Sequence, residues 1–124
     1  MLLLHDGKTI RRYAIGLGQS PVGPKEREGD SKTPEGLYTI SGRNPASAYR
    51  LSLRISYPNA GDIERARKAG VDPGSDIMIH GLPNGEAKHS RAADWTAGCI
   101  AVTDEEIEEI WRLVADGTPI QINP

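Results

Sequence analysis

The chain has 124 residues, 37% of them hydrophobic, with no Phe but 14 Gly and 9 Pro. That is enough for one domain with a real core, and a turn-rich balance closer to a β or α+β protein than to a helical bundle. A formal net charge of −2 with no polybasic stretch excludes a basic nucleic-acid face and an anionic-lipid anchor, and the single cysteine, Cys99, excludes an internal disulfide.

Residues 1–4 are apolar but far too few for a signal h-region or a membrane span. Asp6-Gly7 behind them predicts a tight β-hairpin between strands at 2–4 and 9–16. Residues 18–32 read as a loop, interrupted by Pro21, Gly23, Pro24 and Gly29 and carrying the charged run Lys25-Glu26-Arg27-Glu28. Thr33-Pro34-Glu35-Gly36 predicts a turn into a strand at 37–40. Leu51, Leu53, Ile55 and Tyr57 alternate with polar residues, the period of a half-buried strand, which Pro58-Asn59 ends. Asp62 is expected to cap a short helix over 62–69 that Gly70 closes.

The apolar run 76–80 predicts an interior strand that delivers His80 at its end, followed by a loop at 82–94 and a short strand at 99–102. Thr103 and Glu106 form a capping box, and Ile107, Ile110, Trp111 and Val114 share one face of a helix expected over 104–115 and ended by Gly117. Residues 119–122 close the chain as a strand. The expected architecture is a single, mostly β domain over 1–124 with these two helices. No repeat or low-complexity tract interrupts it.

Cys99 follows the small-residue turn Thr96-Ala97-Gly98, whose backbone amides can converge on one point as an oxyanion hole. A thiolate is the nucleophile of cysteine acyl transfer, and an imidazole such as that of His80 can generate it. The competing readings are a small buried cysteine and a hydrogen-bonded histidine at a strand end. A zinc site built from His80, His89, Cys99 and Asp94 is a third, although no paired ligand spacing supports it. His5 sits beside Asp6 in the hairpin, and His89 belongs to a polar loop from which it can be solvated or line the site as part of a lid. The glycine pairs at Gly16, Gly18 and Gly81, Gly85 lack the strand–helix setting and the lysine of phosphate loops.

Thr33-Pro34-Glu35-Gly36, Ile79-His80-Gly81 and Thr96-Ala97-Gly98-Cys99-Ile100, spread over nearly the whole chain, resemble the L,D-transpeptidase catalytic domain family (YkuD type). Asp94-Trp95-Thr96 through Val102, Ser56-Tyr57-Pro58-Asn59 and Pro21 to Lys25 are most similar to its YafK-like branch. The resemblance implies a β-sandwich or barrel-like fold and a cysteine enzyme that needs no cofactor or metal. In that scheme the Cys99 thiolate attacks the L-centre carbonyl of diaminopimelate in a peptidoglycan stem peptide. His80 is the base, and the Gly81 carbonyl is the third member of the triad. The amides of Ala97, Gly98 and Cys99 form the oxyanion hole. Tyr57, Asn59, Thr96 and Trp95 are candidate groove residues, with strand-end packing and a turn as the other reading of Tyr57 and Asn59.

Two positions depart from the family pattern: Ala97 where most members have His, and Ala101 where many have Arg or Asn. Hydrolysis of the same bonds, as an L,D-carboxypeptidase or an amidase releasing a wall-anchored lipoprotein, therefore stands beside transfer. A non-catalytic wall-binding domain is the reading from another class. A wall substrate implies the cell envelope or periplasm, with an export signal upstream of residue 1.

Overall fold

Seven strands and two helices are formed by the described residues, 1–85 and 94–124, of the computed structural model. In chain order they are β1 Leu2–His5, β2 Lys8–Arg12, β3 Gly36–Asn44, β4 Ser52–Ile55, α1 Ala60–Ala69, β5 Met78–His80, β6 Ile100–Ala101, α2 Asp104–Leu113 and β7 Pro119–Ile122. β1 and β2 form a two-stranded sheet, and the other five form a second sheet in the order β6-β5-β4-β3-β7. The mostly β fold with two helices is as the residues predict. None of the described helices is long and apolar enough to cross a membrane.

The hairpin turns at Asp6 (φ 51°) and Gly7 (φ 77°), the two positive φ values of a type I′ turn. Its second strand is shorter than expected and ends at Arg12. Tyr13 then turns into the core, and its hydroxyl donates to Glu109 Oε1 at 2.6 Å. β3 is longer than expected, because antiparallel pairing with β4 carries it on to Asn44 past an irregularity between Ile40 and Gly42. Ile40, Leu53, Ile55, Val102, Ile107 and Ile110 are essentially sealed from solvent. Burying each such side chain contributes on the order of 2 kcal/mol.

Both helix ends depart from expectation in detail. Asn59, not Asp62, is the N-cap of α1: its side chain accepts from the Asp62 amide at 2.9 Å, and Asp62 Oδ2 accepts from the Asn59 amide at 3.0 Å. Asp62 is thus the third helical residue of a capping box, and it also accepts from the Tyr38 hydroxyl at 2.7 Å. The cap of α2 is Thr103, as predicted, but the helix stops at Leu113 and not at Gly117. Arg43 of β3 donates to the carbonyls of Trp111 (2.9 Å) and Val114 (2.6 Å). Those bonds satisfy the open carbonyls that a left-handed glycine would otherwise cap.

Residues 18–35 are irregular but pinned. The Asp30 carboxylate accepts from the amides of Glu26 (2.9 Å), Arg27 (3.1 Å) and Lys32 (3.1 Å) and from buried Lys25 Nζ (2.9 Å). Burial pushes this carboxyl up, but the hydrogen bonds outweigh it and bring the pKa from 3.8 down to about 2. A carboxylate with a depressed folded pKa stabilises the fold above its unfolded pKa, and the stabilisation is lost as pH falls toward the folded value. Asp30→Asn is expected to cost about 2 kcal/mol at neutral pH and to flatten the acid loss between roughly pH 4 and 2. Melting temperature against pH reads this directly, and equal acid sensitivity in variant and parent would contradict it.

Candidate active site

His80 is the last residue of β5, buried between β4 and β6. Its Nδ1 lies 2.7 Å from the carbonyl of Gly81. A carbonyl only accepts, so Nδ1 carries the proton and Nε2 of the neutral ring is the acceptor. That carbonyl is itself held. The Gly81 amide donates to Tyr49 O at 2.9 Å, and the next amide, of Leu82, donates to Asp104 Oδ1 at 2.9 Å. A Cβ on residue 81 would lie 2.6 Å from Asp104 Oδ1, so only glycine lets the α2 carboxylate approach this closely. The Tyr49 ring stacks on the imidazole with centroids 4.4 Å apart, and the tilted Trp95 ring touches both, 5.7 Å from the imidazole and 6.0 Å from Tyr49.

Cys99 is the residue before β6, not the first residue of a strand as expected. β6 runs parallel to β5 with Ile79 opposite Ile100 and His80 opposite Ala101. This pairing brings the turn before β6 alongside the end of β5. The turn is held shut from inside by Thr96, whose hydroxyl donates to Cys99 O (2.7 Å) and accepts from the Gly98 amide (3.1 Å). From behind, Thr33 Oγ1 donates to Gly98 O at 2.9 Å, which gives the Thr-Pro-x-Gly segment a concrete task. The Gly98 amide is therefore directed at Thr96 Oγ1 and away from the point where the three amides were expected to converge.

A cleft of about 330 Å³ opens over these groups, with Tyr49, Met78, His80, Trp95, Ala97 and Cys99 in its lining. The small residue at 97 is exposed on its wall. Thr96 lines the cleft as well, buried and engaged within the turn. Tyr57 and Asn59 are not brought to it: the Tyr57 hydroxyl donates to Pro73 O at 2.6 Å, and Asn59 caps α1. His89 lies outside the described residues. Asp94, a zinc ligand in the alternative reading, accepts from the Leu17 amide at 2.9 Å. Among the described residues no group of three or more His, Cys, Asp or Glu is placed to hold a metal ion.

The sequence model of the YkuD family, the L,D-transpeptidase catalytic domain, matches residues 1–122. This chain belongs to that family. YafK of Escherichia coli (strain K12) is 37% identical over 115 residues, covering 90% of this chain. The helical cell shape determining protein Pgp2 (K307A mutant) from Campylobacter jejuni matches with a TM-score of 0.70 at 31% identity, covering 94% of this chain and 39% of that one. The L,D-transpeptidase from Mycobacterium smegmatis shares the fold at 17% identity, with a TM-score of 0.60 over 96% of this chain and 51% of its own. The chain spans only 37% of the length of YafK.

Electrostatics within this YkuD domain favour the neutral forms of His80 and Cys99. Burial lowers the His80 pKa, opposed in part by its bond to the Gly81 carbonyl. Burial also raises the Cys99 thiol, against a backbone hydrogen bond at Met78, while Asp76 raises it further and Lys25 lowers it. In the resting state the thiol donates to Asp76 O at 3.3 Å. A buried imidazole and a largely buried thiol thus line one cleft, both biased toward the uncharged form.

Sequence reading missed two contributors and gave a third, Thr33, only as part of a turn motif. Tyr49 falls in a turn-like stretch with no periodicity to mark it. Asp104 looks like an ordinary acidic residue of a helix's first turn, and Thr33 like a turn residue. Each acts across a long sequence separation: Tyr49 on the ring of His80, Asp104 on the Leu82 amide, and Thr33 on the Gly98 carbonyl.

Proposed function

We propose that residues 1–124 form one catalytic domain that performs cysteine acyl transfer on peptidoglycan stem peptides. The observation that carries this reading is that Cys99 and His80 line one cleft while the Gly81 carbonyl fixes His80 as the tautomer whose Nε2 accepts. Cys99 Sγ adds to the L-centre carbonyl of diaminopimelate as its proton passes to His80 Nε2. The oxyanion is assigned to the amides of Ala97 and Cys99, since that of Gly98 already donates to Thr96. Collapse breaks the C–N bond, the imidazolium returns its proton to the leaving amine, and a thioester remains on Cys99. An amine acceptor resolves the thioester as a cross-link. No cofactor enters the scheme.

Hydrolysis is the second reading, favoured by Ala97: a methyl on the cleft wall where most of the family carries an imidazole leaves room for water beside the thioester. Release of a wall-anchored lipoprotein would be one such reaction. Either activity places the protein in the cell envelope, and likeness to Pgp2 suggests a contribution to cell shape. Incubating defined tetrapeptide muropeptides with and without an amine acceptor, and reading products by mass spectrometry, separates the outcomes. Dimers with a transient acyl adduct on Cys99 are the expected result. Released amino acid without any dimer assigns hydrolysis, and an inert mixture removes both.

A further inference from the structure

An exposed ion pair, Arg54 with Asp76, includes the residue whose backbone carbonyl accepts from the Cys99 thiol. β4 and β5 are antiparallel, with Ser52 opposite His80 and Arg54 opposite Met78. Directly paired residues, and residues two apart on one strand, share a face, so Arg54 lies on the face that carries His80 and Met78 to the cleft. Asp76, just before β5, gives its backbone carbonyl to the Cys99 thiol at 3.3 Å and its Oδ1 to Arg54 at 2.7 Å. Asp76 holds a left-handed φ of 58°, a conformation that Asp and Asn adopt more readily than other non-glycine residues. Its charge is felt at the sulfur.

Nothing in the chemistry assigned to Cys99 and His80 uses this pair, and its contribution to stability is small. The side chains are 51% and 67% exposed, and an ion pair so wetted contributes less than about 1 kcal/mol. It can therefore exchange partners at little cost. What it offers is a planar guanidinium fork, suited to a carboxylate, next to a carboxylate suited to an ammonium. A ligand bearing both charges on one carbon would satisfy both at once. A ligand bearing only one would leave the other residue without a new partner.

We propose that Arg54 and Asp76 form a subsite for a zwitterionic α-amino-acid head on the substrate, Arg54 taking the carboxylate and Asp76 the ammonium. This deepens the function proposed above and rests on it: the diamino acid whose L-centre carbonyl reacts at Cys99 ends its side chain in such a head. The subsite adjoins the nucleophile through Asp76, whose backbone carbonyl accepts from the Cys99 thiol at 3.3 Å.

The test compares stem peptides carrying diaminopimelate with the same peptides amidated on the side-chain carboxylate. Both are assayed with the parent, Arg54→Gln and Asp76→Asn, asparagine being tolerant of the left-handed conformation. The parent is expected to prefer the intact head by about tenfold or more, the worth of one charged hydrogen bond, carried in KM rather than kcat. Arg54→Gln should collapse that preference toward parity, whereas Asp76→Asn should raise KM for both peptides, because the ammonium is present in each. A parent without preference, a preference that survives Arg54→Gln, or an Asp76→Asn protein that binds both peptides like the parent overturns the subsite. Calorimetry of the same peptides on Cys99→Ala protein separates the two levels of the proposal. Head-dependent binding that Arg54→Gln removes, with no turnover by the parent, would retain the subsite and sink the reaction. Turnover indifferent to the head would sink the subsite alone.

Discussion

Replacing Cys99 by alanine is expected to reduce muropeptide turnover by roughly 10⁴-fold or more, to the level of the uncatalysed background, because the sequence has no other thiol. The fold should survive, since the half-buried thiol is hydrogen-bonded to backbone, at Asp76 and Met78, and its loss removes little packing. The pH dependence carries the sharper content. His80 must be neutral to accept the proton, and burial holds its pKa below the ordinary histidine value. As pH falls, kcat/KM should therefore persist past the ordinary histidine pKa and decline only below it. The thiol shifts the opposite way, so alkylation of the free protein should rise with a midpoint above that of an ordinary cysteine. A resting thiolate–imidazolium pair would behave in the reverse manner, reacting quickly with iodoacetamide at neutral pH. Full turnover by Cys99→Ala would falsify the assignment outright.

Local chemistry was legible in the sequence, and contact chemistry was not. The hairpin at Asp6-Gly7, the Thr103–Glu106 capping box and the delivery of His80 by a short apolar strand all depend on residues within a few positions of one another, where turn and capping preferences operate. The placement of His80 and Cys99 in one cleft could be anticipated because few residue types can perform acyl transfer and the chain has one cysteine. The rest is set by pairing and by side chains reaching across the chain. β3 runs through Gly42, Arg43 and Asn44, poor strand formers by propensity, because β4 supplies a partner. α2 ends where Arg43 meets its carbonyls, a contact 68 residues long in sequence. The α1 cap was misplaced by three residues because Asn59 and Asp62 are both good capping residues, and only the reciprocal bonds decide between them. That same cap removes Asn59 from the cleft.

Gly98→Ala is expected to damage both stability and activity, for a reason visible only in three dimensions. Gly98 holds φ 130°, a region that side chains rarely enter, and an added Cβ would lie 2.6 Å from Lys32 O and 3.3 Å from Ile77 Cδ1. Backbone strain of about 1–3 kcal/mol and overpacking of similar size act together, so a fall in melting temperature on the order of 10 °C follows for a domain of this length. The clash is with backbone, so relief requires the turn to swing away from residues 32–33. That movement breaks the Thr33 bond to Gly98 O and the Thr96 bond to the Gly98 amide, the contacts that set Cys99 against the end of β5. Misplacing a nucleophile by about 1 Å costs roughly 100-fold in rate, so the protein that remains folded should still be slow, with kcat lowered more than KM is raised. Gly42→Ala is the control, since no atom lies within 4 Å of its added Cβ and its φ is not in the left-handed range. A Gly98→Ala protein that melts with the parent and keeps its kcat would mean that the turn does not depend on this close approach.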